Sequence, residues 1–88
     1  LIYNNNIMKV VIVSPERTLY NGEAEGVIVP GDSGCFEILK DHAPAISTLS
    51  NGVVVLRGNQ PMEIPVNGGF VEVARNEVSL CVEAVVEK

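Results

Sequence analysis

With 88 residues, 47% hydrophobic content, no Trp and only 5% aromatics, the chain has room for one small domain whose core must come from Val, Ile and Leu. A net charge of −5, with the six basic residues scattered between Lys9 and Lys88, leaves no positive stripe for nucleic acid or for anionic lipid. No apolar run approaches the ~20 residues that cross a bilayer as a helix, so no direct membrane insertion is expected, and any membrane association runs through another protein.

Residues 1–7 (LIYNNNI) carry three consecutive Asn and precede the first Met, at position 8. They read as an N-terminal extension or a cloning remnant, with a single domain over 8–88. The start lacks the basic-then-apolar pattern of a signal peptide, which makes the reducing cytoplasm the default compartment. From Lys9 onward, short β-branched runs alternate with Gly, Pro and Asn, the pattern of an all-β fold. A first strand is predicted over 9–13, stopped by Ser14-Pro15, since proline lacks a donor and restricts its predecessor. Runs at 18–20 and 23–29 follow, separated by a turn at Asn21-Gly22 and closed by Pro30-Gly31. A strand at 35–39 leads to a corner at His42-Ala43-Pro44 and a further strand at 45–49.

The second half reads as a meander of strands at 53–57, 60–66, 69–74 and 77–82. Asn51-Gly52 is the strongest hairpin signal, because both central positions of a type I′ turn need positive φ; Gly58-Asn59 suits type II′, and Arg75-Asn76 is a weaker third turn. In the last strand Val78, Leu80 and Val82 alternate with polar positions, giving one buried and one solvated face. The near-continuous apolar runs 27–29 and 53–56 predict strands covered on both sides, either by the opposite sheet or by a partner protein. The only place where a short helical turn could start is 82–88.

Few constellations carry chemistry. Cys35 and Cys81 stand far apart without a CxxC or Cys/His cluster, so no metal site is expected, and neither has a neighbouring cation to activate it. The single His42 adjoins Asp41, but adjacent residues point apart, and His42 reads as a turn or interface residue rather than a catalytic base. Glu23 and Glu25 share one face of a strand and read as a solvated, edge-protecting pair rather than a glycosidase pair. Gly31-Asp32-Ser33-Gly34 lacks the following Lys-Ser/Thr and helix of a phosphate cradle and reads as a loop. No active site and no cofactor are expected; a rigid β scaffold with shaped loops points to binding.

The order of motifs is more specific than any one of them. Ser14-Pro15-Glu16, the Tyr-Asn-Gly-Glu stretch from Tyr20 to Glu23, Val27-Ile28-Val29-Pro30-Gly31 with Gly34, His42-Ala43-Pro44, Leu49-Ser50-Asn51-Gly52 and Gly68-Gly69-Phe70-Val71-Glu72-Val73 follow in sequence. The chain thereby resembles the N-terminal domain of the ATP synthase epsilon chain, called delta in mitochondria, over nearly its whole length. That resemblance implies a small β-sandwich of about ten short, mostly antiparallel strands, monomeric when isolated, in the central stalk of an F-type enzyme on the cytoplasmic face of the inner membrane. It implies a non-catalytic rotor subunit that links the gamma subunit to the c-ring. Transferred by position, Gly31, Asp32, Ser33, Gly34, Cys35, Phe36, Glu37, Asp41 and His42 form the c-ring and lower gamma contact, and Ser14 and Ser47 lie on the gamma side.

The chain departs from the family in places. Glu37-Ile38 and Lys40-Asp41 replace Gly-Ile and Pro-Gly near the histidine, and Cys35 stands where a carboxylate is common. The helical hairpin that follows this domain in many members would begin where the sequence stops, so the expectation is a subunit that couples the rotor without restraining hydrolysis and without binding ATP. Competing readings are a free-standing β-sandwich that binds a ligand or protein, and a small hydrolase built on His42 with Asp41 or Cys35.

Overall fold

A computed structural model describes residues 6–85. They form seven strands: β1 (Met8–Val13), β2 (Thr18–Ala24), β3 (Gly26–Gly31), β4 (Gly34–Leu39), β5 (Ala45–Arg57), β6 (Met62–Ala74) and β7 (Glu77–Ala84). Hydrogen bonding runs in the order β2-β1-β7-β6-β5-β3-β4, antiparallel except for the parallel β1–β7 pair. The all-β class expected from the sequence is present. The strand count is lower than about ten because the four runs expected at 45–49, 53–57, 60–66 and 69–74 are halves of two long strands, β5 and β6.

Those two strands keep one register from Ala45↔Val73 to Leu56↔Met62, interrupted only between Leu49↔Gly69 and Asn51↔Asn67, and the ribbon they form shapes the domain. Leu39 lies opposite Gly26, which lies opposite Arg57, so the end of β4 is two strand spacings, about 10 Å, from the end of β5. Ala45 follows Leu39 by six residues, a reach of at most about 21 Å. A straight 13-residue β5 would hold its ends about 40 Å apart, more than those two spans together. The ribbon must therefore bend, and the continuous sheet closes into two layers. One holds β2, β1 and β7 with residues 69–74 of β6 and 45–49 of β5. The other holds residues 62–66 of β6, 52–57 of β5, β3 and β4.

Burial shows how the ribbon changes layers. Leu49, Val71 and Val73 are buried at odd positions in one half, while Val54, Leu56 and Val66 are buried at even positions in the other. Since side chains alternate sides, the ribbon presents opposite faces to the core in its two halves. The switch occurs at Asn51-Gly52 and at Asn67-Gly68, where Asn51 pairs with Asn67 across the ribbon. Against β7, β6 has one extra residue between Val66↔Ala84 and Gly69↔Val82, a bulge that uses Gly68 and Gly69 at φ 92° and 140°.

The core is one cluster drawn from all seven strands, with Met8, Val10, Ile12, Val27, Val29, Ile38, Val54, Leu56, Val78 and Leu80 almost wholly buried. Each such aliphatic side chain contributes about 1.5–3 kcal/mol relative to exposure. Among the described residues Tyr20 is the one aromatic in the buried cluster, and its hydroxyl donates to the Glu23 carbonyl at 2.7 Å.

Several local expectations give way. Asn21-Gly22 is no turn but lies within β2, paired with Val11 and Val10; the chain turns at Glu25 instead, whose amide donates to the Arg57 carbonyl at 2.8 Å. Asn51-Gly52 makes no hairpin. Within the domain the apolar runs 27–29 and 53–56 are covered fully on one side: Val27, Val29, Val54 and Leu56 are buried, whereas Ile28 and Val55 are half-buried and Val53 is exposed, so the opposite sheet does not supply the second cover. Residues 82–84 belong to β7, Val85 follows it with its amide donating to the Pro65 carbonyl at 3.5 Å, and 86–88 lie outside the described residues, as do residues 1–5 of the expected extension.

Candidate interaction surface

The β3–β4 connection is a two-residue turn, Asp32-Ser33, between the paired Gly31 and Gly34. Glycine is required at Gly31: a Cβ there would come within 2.9 Å of the Phe36 ring and 2.8 Å of the Gly34 carbonyl oxygen. Phe36 therefore lies across the hairpin and packs against the core. Glu37 is also engaged, forming an ion pair with Arg57 across Gly26. Of the seven residues 31–37 expected to form a contact, Asp32, Ser33, Gly34 and Cys35 face solvent, while Phe36 and Glu37 are half-buried and held within the domain.

Asp32 fixes the hairpin to β5. Its Oδ2 accepts from the Thr48 hydroxyl at 2.5 Å, its Oδ1 accepts from the Ser50 hydroxyl at 2.7 Å, and its amide donates to the Thr48 carbonyl at 3.2 Å. The Thr48 hydroxyl first, and the Ser50 hydroxyl second, hold its carboxyl below the usual carboxylate range by favouring the charged form. Thr48 and Ser50 are two apart on one strand and so share a face. That period was visible in the sequence; their facing Asp32 was not, because it depends on the β3–β5 register.

Asp41 and His42 occupy a separate corner between β4 and β5. Asp41 adopts φ 68°, and its amide donates to Asn76 Oδ1 at 2.6 Å while Asn76 Nδ2 donates to its carboxylate at 3.3 Å. The His42 amide donates to the Leu39 carbonyl at 3.1 Å, and Nδ1 lies 2.7 Å from the Ala43 carbonyl. A carbonyl only accepts, so Nδ1 of the half-buried ring is the donor in that contact. Asp41 and His42 thus have different partners and form no acid–base pair. The corner begins about 10 Å along β5 from the Asp32 anchor, the length of the three steps from Ala45 to Thr48.

Ser14 and Ser47 lie about 14 Å apart, since β7 and β6 separate β1 from β5. Ser14 closes a turn by accepting from the Arg17 amide at 3.4 Å, and it lines a groove of about 380 Å³ with Val13, Pro15, Phe70, Cys81 and Val82. Ser47 shares the inward side of β5 with Leu49. Sequence reasoning missed the outward side. Val13, Cys81, Phe70 and Thr48 are successive ladder partners there, and Ile46, diagonal to Phe70, is 70% exposed. Phe70 stood in a quoted motif, but its direction required the bulge at Gly68-Gly69.

Among the described residues no group of three or more His, Cys, Asp or Glu side chains could hold a metal ion, and no helix is long and apolar enough to cross a membrane. Residues 7–88 match the family described as ATP synthase, Delta/Epsilon chain, beta-sandwich domain. The chain belongs to that family. An ATP synthase epsilon chain of Leptospira interrogans is 43% identical over 85% of this chain and 60% of its own length. One from Synechococcus elongatus is 40% identical over 88% of this chain and 57% of its own. This delta/epsilon-type chain thus spans well under two thirds of the curated bacterial relatives it matches. Its fold is similar to a chain in the cryo-EM structure of the Tetrahymena thermophila mitochondrial ATP synthase central stalk and c-ring, with TM-score 0.73, 18% identity, and coverage of 91% of this chain and 66% of that one. A chain in the Euglena gracilis mitochondrial ATP synthase structure of OSCP, F1 and c-ring gives TM-score 0.79 and 16% identity over 86% of this chain and 51% of that one.

Proposed function

We propose that this domain is the non-catalytic β-sandwich of a rotor subunit in a bacterial F-type ATP synthase, docking on the gamma subunit and the c-ring at the cytoplasmic face of the membrane. The observation that carries this reading is the family match over residues 7–88, with 43% identity to an ATP synthase epsilon chain. In this role the domain does no bond chemistry. It transmits torque because its surface loops are anchored at both ends to a closed β scaffold. The hairpin tip (Ser33, Gly34, Cys35) and the His42 corner are the docking elements: both are solvent-facing in part yet tied by hydrogen bonds to β5 and to the β6–β7 turn. The exposed Ile46 and Phe70 add apolar area on the outward side, the kind of patch a partner covers.

The test is co-assembly. The chain is mixed with an ATP synthase from its own source depleted of its epsilon chain, and bound protein is measured after gel filtration. The wild-type chain co-elutes and restores coupling of ion flow to ATP synthesis. His42→Ala keeps the melting temperature of the wild type but co-elutes weakly. A wild-type chain that never associates with gamma or the ring, yet is folded, returns the domain to a free-standing binding module.

A further inference from the structure

The hairpin tip extends beyond the core, and a two-residue turn between glycines has little to hold it in one place. Gly31 and Gly34 pair with each other, but the β3–β5 ladder is irregular just below: from Ile28↔Val55 to Gly31↔Leu49, β3 advances three residues while β5 advances six. The strands therefore part between those two pairs and rejoin only at Gly31↔Leu49, the last pair before the tip. Asp32 secures that rejoined end. Its two carboxylate oxygens each take one hydroxyl of β5, and its amide takes the Thr48 carbonyl. With both oxygens turned to β5, the charge is spent on the strand beside the hairpin, and the outward tip is left to Ser33, Gly34 and Cys35.

We propose that Asp32 is a positioning residue: with Thr48 and Ser50 it clamps the β3–β4 hairpin to β5, so that Ser33 and Gly34 meet the partner as a preformed element, and Asp32 itself is not the contact. This deepens the docking role proposed above and rests on it. A tip already in its bound shape loses less conformational freedom on association and binds more readily. Direct readout of the Asp32 charge by a partner cation is the competing arrangement, and the two make different demands on Thr48 and Ser50.

The experiment has two arms. In the isolated chain, hydrogen exchange at the residue 32 amide is followed by NMR for Thr48→Val/Ser50→Ala, for Asp32→Ala and for Thr48→Ser. The first two variants accelerate exchange at that amide by about fivefold or more while amides of Val10 and Leu80 keep wild-type rates, and Thr48→Ser, which retains the hydroxyl, stays at the wild-type rate. In the second arm, association with the epsilon-depleted enzyme is timed. Thr48→Val/Ser50→Ala slows docking about as much as Asp32→Ala, and the triple variant is no slower than either, because each already releases the clamp. Unchanged exchange at residue 32 overturns the clamp. Faster exchange with undiminished docking overturns the positioning role, as does a triple variant that docks markedly more slowly than Thr48→Val/Ser50→Ala, which marks a direct contact by Asp32. If the wild-type chain itself does not dock, the function proposed above fails, and the exchange arm alone decides whether the clamp exists.

Discussion

Two asparagine-bearing dipeptides in the second half of the chain look alike and do opposite things. Arg75-Asn76 turns the chain in two residues, with both at positive φ, 54° and 61°, joining β6 to β7. Asn51-Gly52, the stronger turn signal of the two, runs straight through β5, paired with Asn67 and Val66. At Arg75-Asn76 the flanking residues Val73 and Val78 are partners that bury on the same side, so a tight turn satisfies both. At Asn51-Gly52 the flanking Leu49 and Val54 must bury on opposite faces, in different layers. A turn there would fold the two halves onto each other and expose one set. A glycine supplies conformational freedom, and the tertiary context decides whether a hairpin or an inversion of the ribbon uses it.

The largest expected effect breaks the inversion itself. Gly69 sits at φ 140° in the bulge, and a Cβ there would overlap the Cys81 backbone carbonyl, so Gly69→Ala should cost about 3 kcal/mol or more in chemical denaturation. Gly52→Ala should cost about 1–3 kcal/mol, because its Cβ would come within 2.8 Å of the rigid Pro30 ring. On the other side of the comparison, Asn76→Ala should cost about 1–2 kcal/mol by losing both its tolerance of positive φ and its two side-chain bonds to Asp41. Asn76→Gly loses only those bonds and should be milder. Equal losses for the two variants would mean that backbone conformation contributes nothing at that turn.

The smallest effect concerns Ser50, next to Asn51. Because the folded Asp32 carboxyl lies below its unfolded value, its bonds to Thr48 and Ser50 stabilise the fold above about pH 4, and the contribution fades as pH falls through the lower folded value. The melting temperatures of wild type and Thr48→Val/Ser50→Ala should therefore converge on acidification below that point. A gap that stays constant down to pH ~2 would show that the hydroxyls matter for packing rather than for the carboxylate.

Much of the site was legible residue by residue. Gly31, Asp32, Ser33 and Gly34 were read as a glycine-bearing loop, and His42-Ala43-Pro44 as a corner, because glycine and proline set local turn conformations. What was not legible is which of them are occupied. Phe36 and Glu37 follow the loop in sequence but are held by Gly31 and Arg57 through strand registers that no local pattern encodes. Asn76 was named as a turn residue, yet its second task, holding Asp41, joins positions 35 apart in sequence.

From the sequence alone came the all-β class, the Val/Ile/Leu core, the alternation of Val78, Leu80 and Val82, the Arg75-Asn76 turn and, by order of motifs, the family. These follow from period-two patterning and from the φ preferences of single residues, which act within a few positions. The tertiary structure decided that four predicted strands are two, that Asn51-Gly52 inverts a ribbon, and that Asp32 faces Thr48 and Ser50. Each depends on two layers closing over one core, and burial of Leu49 and Val54 on opposite faces is a demand that only the closed domain can make.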